Sequence, residues 1–225
     1  MERAESKQVT GGPIGKAGGG KMKMRRQANI QHFNQRHPHR LIGRTPRQIT
    51  EDIDRLCKEL DRSVQPIFVR VKLEPDAERA ECTRNVHKKI MRAGGQIRFG
   101  WVIWEIPNIM IEAIYHAIWI SPQGEPIDIT PKKQENAERI LFLEDSKDKY
   151  NDGLSFRRID KVRKPLSDDP LVVEFIEICE EMFEFEEKVS PGSMLHLEGE
   201  TLKYYEVLER KKYRLSYQIC THYAF

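Results

Sequence analysis

The chain has 225 residues, of which 39% are hydrophobic and 32% are charged, enough for one domain of ordinary size with a polar surface. No apolar run of about 18 residues is present, so we expect no membrane span. The first 48 residues carry eleven Lys or Arg and two Asp or Glu, whereas the remainder carries 27 basic and 33 acidic residues. No secretory signal is evident, so we expect a cytoplasmic protein whose four cysteines are reduced thiols.

Residues 1–44 are predicted to form a flexible basic arm. They are rich in Gly, Lys, Arg, Gln and His and poor in apolar residues, so they cannot bury enough surface to offset the entropy lost on ordering. A solvated tail is the preferred interpretation. The alternative is a tether for nucleic acid or for another acidic partner.

Residues 45–165 are predicted to form the main domain, which begins with helix, strand and helix. The first helix is expected to start at Thr45 as its cap and to bury Ile49, Ile53, Leu56, Cys57 and Leu60 on one face. The strand has alternating apolar residues at Ile67, Val69, Val71 and Leu73. The second helix is expected to run from Cys82 to Ala93, to bury Cys82, Val86, Ile90 and Ala93, and to stop at Gly94-Gly95.

About four strands with hairpin connections follow, which predicts an α+β fold with an antiparallel sheet. The two longest are "QIRFGWVIWEI" and "IMIEAIYHAIWI", and the turn "SPQGEP" precedes the short strands "IDIT" and "RILFL". Residues 166–225 are predicted to be a mainly helical extension packed on this domain. Its first segment reads as a long helix, and its second as a helix or as a helix followed by a strand.

Three residues in chain order carry the candidate chemistry: Cys82, His116 and Asp128. A helix N-terminus lowers the pKa of a cysteine, because its free N–H groups and dipole favour the thiolate. A histidine can take and return the proton, and a carboxylate can orient the imidazole. If positions that sum to 244 lie opposite each other in the hairpin, His116 faces Asp128; a slip of one residue would separate their faces.

These residues resemble the transglutaminase-like branch of the papain-like cysteine enzymes. The resemblance covers roughly residues 65–145 and rests on Cys82 opening a helix, "GG" closing it, "FGW" at 99–101, "HAIW" at 116–119 and "DITP" at 128–131. It implies a papain-like core in which Cys82 is the nucleophile, His116 the base and acid, and Asp128 the orienting residue. The segment before Cys82 departs from that pattern, because it is charged and offers no evident oxyanion donor. The backbone N–H of Cys82 and the side chain of Gln65 are the two candidates.

Each residue also has a simpler explanation. Taken alone, Cys82 would be a buried helix cysteine, His116 a core histidine and Asp128 a turn cap. Asn85, one turn after Cys82, could touch the site, but a role on the helix surface is favoured, and His87 is expected in solvent. Zinc would need more ligands at suitable spacing than this sequence offers, so no metal is expected.

The resemblance implies a cysteine hydrolase, thiol protease or deamidase, or a transglutaminase-like acyltransferase. It would act on a peptide bond or glutamine side-chain amide of a protein or peptide through a thioester, with no cofactor. The first alternative is an inactive papain-like binding module, and the second is a nucleic-acid-associated protein that uses the basic arm. The acidic apolar helix near the C-terminus also suits a partner helix, although covering the sheet is the more ordinary explanation.

Overall fold

A computed structural model of the chain describes residues 41–132, 137–147, 158–191 and 195–224. The fold is mixed α+β, as predicted, with helices packed around one sheet. The helices of the described residues are α1 (Glu51–Leu60), α2 (Cys82–Ala93), α3 (Pro170–Val189) and α4 (Gly199–His222). The strands are β1 (Ile67–Val71), β2 (Gln96–Ile106), β3 (Met110–Ile120), β4 (Pro126–Asp128), β5 (Arg139–Glu144) and β6 (Val162–Pro165).

The sheet closes into a barrel of five strands. Its order is β2-β5-β1-β4-β3-β6, and β2 also pairs with β3, so that β6 alone lies outside the ring. Most pairs are antiparallel, but β1 and β4 run parallel, which the prediction of a purely antiparallel sheet missed. The interior holds apolar side chains from β1, β2, β3 and β5, among them Val69, Val102, Ile118, Ile140 and Phe142.

Helix α1 begins later than predicted. Thr50, not Thr45, caps it by accepting a hydrogen bond from the Ile53 N–H, whereas the Thr45 hydroxyl donates to the carbonyl of Arg139. The predicted apolar face starts accordingly at Ile53, while Ile49 precedes the helix and is 43% exposed. That face, which includes Leu56 and Cys57, packs against the outer side of the barrel.

Strand β1 keeps only part of its predicted alternation. Val69 is fully buried in the barrel, but Ile67 is 48% exposed and Leu73, beyond the end of the strand, is 52% exposed. Phe68, on the other side of the strand, packs outward against the apolar cluster that includes the buried face of α1. The side of the strand that the alternation assigned to solvent is therefore partly covered at Phe68.

Helix α2 has the predicted bounds and is fixed at both ends. Val86 is fully buried against the outer face of β3 and β4, although Ala93, predicted to be buried, is exposed. At the C-terminal end the indole N–H of Trp119 donates to the Gly94 carbonyl at 2.9 Å. Gly95 has φ +89°, and a Cβ there would lie 2.2 Å from the Ile120 carbonyl, so only glycine fits this junction.

Helices α3 and α4 pack on each other and on the turn between β2 and β3. Their common core includes Ile109 and Met110 of the barrel with Phe175 of α3 and Leu215 of α4. The second segment of the extension is a single helix without a strand. In the described part of the chain, no helix is long and apolar enough to cross a membrane.

Most of the predicted basic arm lies outside the described residues. Of its last four residues, which are described, Arg44 forms an isolated bridge with Glu105, each backbone N–H donating to the carbonyl of the other. Gly43 lies against Trp104, where a Cβ would be 2.8 Å from the Cβ of the indole side chain. These residues therefore contact the barrel.

Candidate active site

His116 and Asp128 lie on the inner face of the barrel at one of its ends. His116 alternates along β3 with Ile114 and Ile118, which belong to the interior cluster. The ladder joins Trp119 to Ile127 and Ile120 to Pro126, so its continuation brings Ile118, not His116, opposite Asp128. The predicted direct opposition is thus wrong by two residues, but the common face is preserved, and the two side chains are diagonal neighbours.

The Asp128 carboxylate is fully buried and has three polar neighbours. Oδ1 lies 3.0 Å from Nε2 of His116 and accepts a hydrogen bond from the Thr130 N–H at 3.1 Å, and Oδ2 lies 2.6 Å from Nζ of Lys132. Burial acts to raise the pKa of Asp128, but His116 and Lys132 outweigh it, so the pKa is lowered. The carboxylate is therefore ionised at neutral pH and holds the imidazole from one side.

Cys82 is the first residue of α2. The side chain of the preceding residue, Glu81, makes no capping hydrogen bond, so it leaves the first N–H groups of the helix uncapped. Strand β4 pairs with β3 only at Trp119 and Ile120, which leaves the Ala117 N–H outside that ladder. This N–H and the Thr83 side chain both act to lower the pKa of the Cys82 thiol, against the effect of burial.

The Cys82 thiol and the His116 imidazole shift each other's pKa toward an ion pair. Burial acts to raise the pKa of Cys82, but the hydrogen bond and the charge of His116, with the Ala117 N–H, lower it to about 7. Burial acts to lower the pKa of His116, but Asp128 and the hydrogen bond with Cys82 raise it overall. Because Nε2 faces Asp128 and Lys132, Nδ1 is the ring nitrogen left to exchange a proton with the sulfur.

The other cysteines behave as core residues. Burial raises the pKa of Cys57 to about 12 and also raises those of Cys179 and Cys220. All three are at most 4% exposed. Cys82 is thus the one described cysteine whose pKa is lowered, and its environment differs from that of a buried structural thiol.

Asn85 is buried beside the site, which its place one turn after Cys82 allowed, and the favoured surface role is wrong. It is 2% exposed, and its Nδ2 donates to the Thr130 hydroxyl at 3.2 Å and to the Glu78 carbonyl at 2.8 Å. Thr130 in turn donates its N–H to Asp128. Asn85 therefore ties the start of α2 to the segment that holds Asp128. His87, two residues after Asn85 on α2, is exposed as predicted.

Lys132 is the second residue that the sequence did not reveal. Its side chain is only 10% exposed, and its Nζ lies 2.9 Å from Nε2 of His116 as well as 2.6 Å from Oδ2 of Asp128. The motif "DITPK" offered a signal, because a lysine four residues after a buried aspartate can fold back onto it. Four charged or titratable side chains, those of Cys82, His116, Asp128 and Lys132, thus meet at this end of the barrel.

The structure does not bring Gln65 to this cluster. Gln65 is exposed and precedes β1, whereas Asp128 lies opposite Val71 at the other end of that strand. Six residues of extended chain span about 20 Å, which separates the Gln65 amide from Asp128. Of the two candidate oxyanion donors, only the backbone N–H of Cys82, at the start of α2, belongs to this cluster.

A cavity of about 660 Å³ opens at the same end of the barrel. Val71 pairs with Asp128 on one side and donates its N–H to the Glu138 carbonyl on the other, at 2.9 Å. Glu138, a lining residue, is thus two strands from Asp128, or about 10 Å. The lining consists of Arg44, Thr45, Arg47, Trp104, Ala137, Glu138 and Arg139.

No family model, curated protein or solved structure matches the chain. Among the described residues, no group of three or more His, Cys, Asp or Glu side chains is arranged to hold a metal ion.

Proposed function

We propose that this protein is a cysteine-dependent enzyme with a papain-like, transglutaminase-like core, which cleaves a carbonyl–nitrogen bond through a thioester. The single observation that carries the proposal is the position of His116 between Cys82 at a helix N-terminus and the buried carboxylate of Asp128. Nucleophile, proton carrier and orienting group in that sequence are the arrangement that thiol acyl transfer needs. The substrate class is a peptide bond or the side-chain amide of glutamine.

In the first half-reaction the Cys82 thiolate attacks the carbonyl carbon, and a carbon–sulfur bond forms. The oxyanion is stabilised by N–H groups at the start of α2, where the helix dipole favours negative charge. The His116 imidazolium then donates its proton to the departing nitrogen as the carbon–nitrogen bond breaks. An amine leaves from a peptide and ammonia from glutamine, and the thioester and neutral imidazole remain.

In the second half-reaction His116 acts as a base. It removes a proton from water, the hydroxide attacks the thioester, and the carbon–sulfur bond breaks to release a carboxylic acid and regenerate the thiolate. An amine in place of water would give transfer. Hydrolysis or deamidation is the favoured outcome, because water needs no dedicated binding site beside the thioester.

The test is to incubate the full-length protein with reduced, unfolded casein in water enriched in ¹⁸O and to examine the casein by mass spectrometry. Cleaved peptide ends or glutamines converted to ¹⁸O-labelled glutamate support the proposal, if both are lost in Cys82→Ser. A fluorescent primary amine added to the same reaction reports transfer. The same products from Cys82→Ser would contradict the proposal, and a folded parent without product on casein and on a random peptide library would favour a binding module.

A further inference from the structure

Lys132 introduces a positive charge where the proposed mechanism already needs one. Its side chain is 10% exposed, and its ammonium group bridges the two groups that would control proton transfer, with Nζ 2.9 Å from Nε2 of His116 and 2.6 Å from Oδ2 of Asp128. Proton transfer by Cys, His and Asp alone does not require this contact, because an ammonium only donates hydrogen bonds and repels an imidazolium. The position of Lys132 therefore indicates a separate role in the proton transfer by His116.

Asp128 and Lys132 favour opposite protonation states of Nε2 of His116. A carboxylate accepts a hydrogen bond from a protonated Nε2 and so favours the imidazolium. An ammonium donates to an unprotonated Nε2 and so favours neutral imidazole that keeps its proton on Nδ1, the side of Cys82. Lys132 also neutralises part of the Asp128 charge through their ion pair.

The titratable groups that face His116 from each packed element are Cys82 from α2, Asp128 from β4 and Lys132 from the segment after β4. Asp128 acts to raise the pKa of His116, whereas Lys132 acts to lower it. The two effects oppose each other in a site where burial leaves little screening by water. The acidity of the imidazolium is thus set by the difference between them.

We infer that Lys132 is a positioning residue that keeps the His116 imidazolium acidic enough to protonate a leaving nitrogen. An amine is a poor leaving group unless it is protonated as the bond breaks, and a stronger acid transfers its proton more readily. With Asp128 alone, His116 would hold its proton too firmly to pass it on. This inference rests on the proposed function, and it points to substrates with a nitrogen leaving group rather than to esters.

The experiment measures the pKa of His116 by NMR in the full-length protein with ¹³C-labelled histidine. The chain has seven histidines, so the His116 resonance is assigned by its loss in His116→Gln. The neutral variants are Lys132→Gln and Lys132→Met, of which the second suits a buried site, and the charge-preserving control is Lys132→Arg. We expect both neutral variants to raise the pKa of His116 by about one unit, a tenfold change in its proton affinity, and the arginine variant to leave it within a few tenths of a unit.

A pKa of His116 that is unchanged or lowered in either folded neutral variant would overturn the inference, since a purely structural lysine would change stability without moving this titration. Failure of the proposed function would appear elsewhere. It would be seen in the alkylation of the parent protein. Cys82 would then react like an ordinary thiol, whether or not the Lys132 variants change the pKa of His116.

Discussion

The buried charges around Asp128 predict a large loss of stability in Asp128→Asn. The substitution keeps the size of the side chain but removes the charge that faces Lys132, whose side chain is 10% exposed. Removing one partner of a buried ion pair costs about 3–5 kcal/mol, because the remaining charge is left without a counter-charge. We expect the free energy of unfolding at pH 7 to fall by about 3 kcal/mol, measured by urea unfolding with tryptophan fluorescence.

The double variant Asp128→Asn/Lys132→Gln tests the reason for this loss. It removes both charges, so its destabilisation should be smaller than the sum of the two single variants, with a coupling on the order of 2 kcal/mol. If the losses of the two single variants add up to the loss of the double variant to within about 0.5 kcal/mol, the two charges are independent and the explanation is refuted. Lys203→Gln, whose partner Glu200 is highly exposed, is the matched control and should change stability little.

The loss in Asp128→Asn should also depend on pH. The pKa of Asp128 is lower in the folded protein than the ordinary value of about 3.9. Its contribution to stability is therefore complete above that ordinary value and is lost as the pH falls through the folded pKa. Urea unfolding at pH 7 and pH 3 should show a parent–variant difference that shrinks at the lower pH, and a constant difference would contradict the assignment.

Three further predictions concern the residues that hold α2. Gly95→Ala should destabilise the fold more than Gly124→Ala, because both glycines have positive φ but only Gly95 has a backbone oxygen within 2.2 Å of the added Cβ; equal thermal midpoints would contradict this. Trp119→Phe should cost about 1 kcal/mol in urea unfolding through the lost hydrogen bond to Gly94, and an unchanged midpoint would exclude that bond. Asn85→Ala should slow Cys82 alkylation at neutral pH while the protein stays folded, whereas an unchanged rate would remove Asn85 from the site.

The sequence indicates the parts of the site that depend on local pattern. Helix α2 has a clear C-terminal stop at Gly94-Gly95 and an apolar face centred on Val86, so Cys82 could be placed at its first residue. Strand alternation is equally local. It predicts that His116 and Asp128 share a face even when the register is displaced by two residues, because only an odd displacement changes the face.

The parts that depend on contacts between distant segments escaped prediction. The parallel pairing of β1 with β4 joins segments more than fifty residues apart, and no local signal specifies it. Asn85 looks like a helix-surface residue until the loop at Glu78 and the segment at Thr130 cover it. The role of Lys132 depends on how the chain turns after β4. A polar residue is a weak signal in a sequence, since its partners decide whether it is buried.

Cys82 and His116 should form a thiolate–imidazolium pair in the folded protein. The most direct test is the pH dependence of Cys82 alkylation by iodoacetamide in the parent and in His116→Ala. Peptide mass spectrometry follows Cys82 separately, so the three core cysteines need not be substituted. We expect the alkylation rate of the parent to rise to a plateau with a midpoint near or below pH 7, and we expect this plateau to be lost in the variant. An inert Cys82, or one that titrates near pH 8.5 with and without His116, would contradict it.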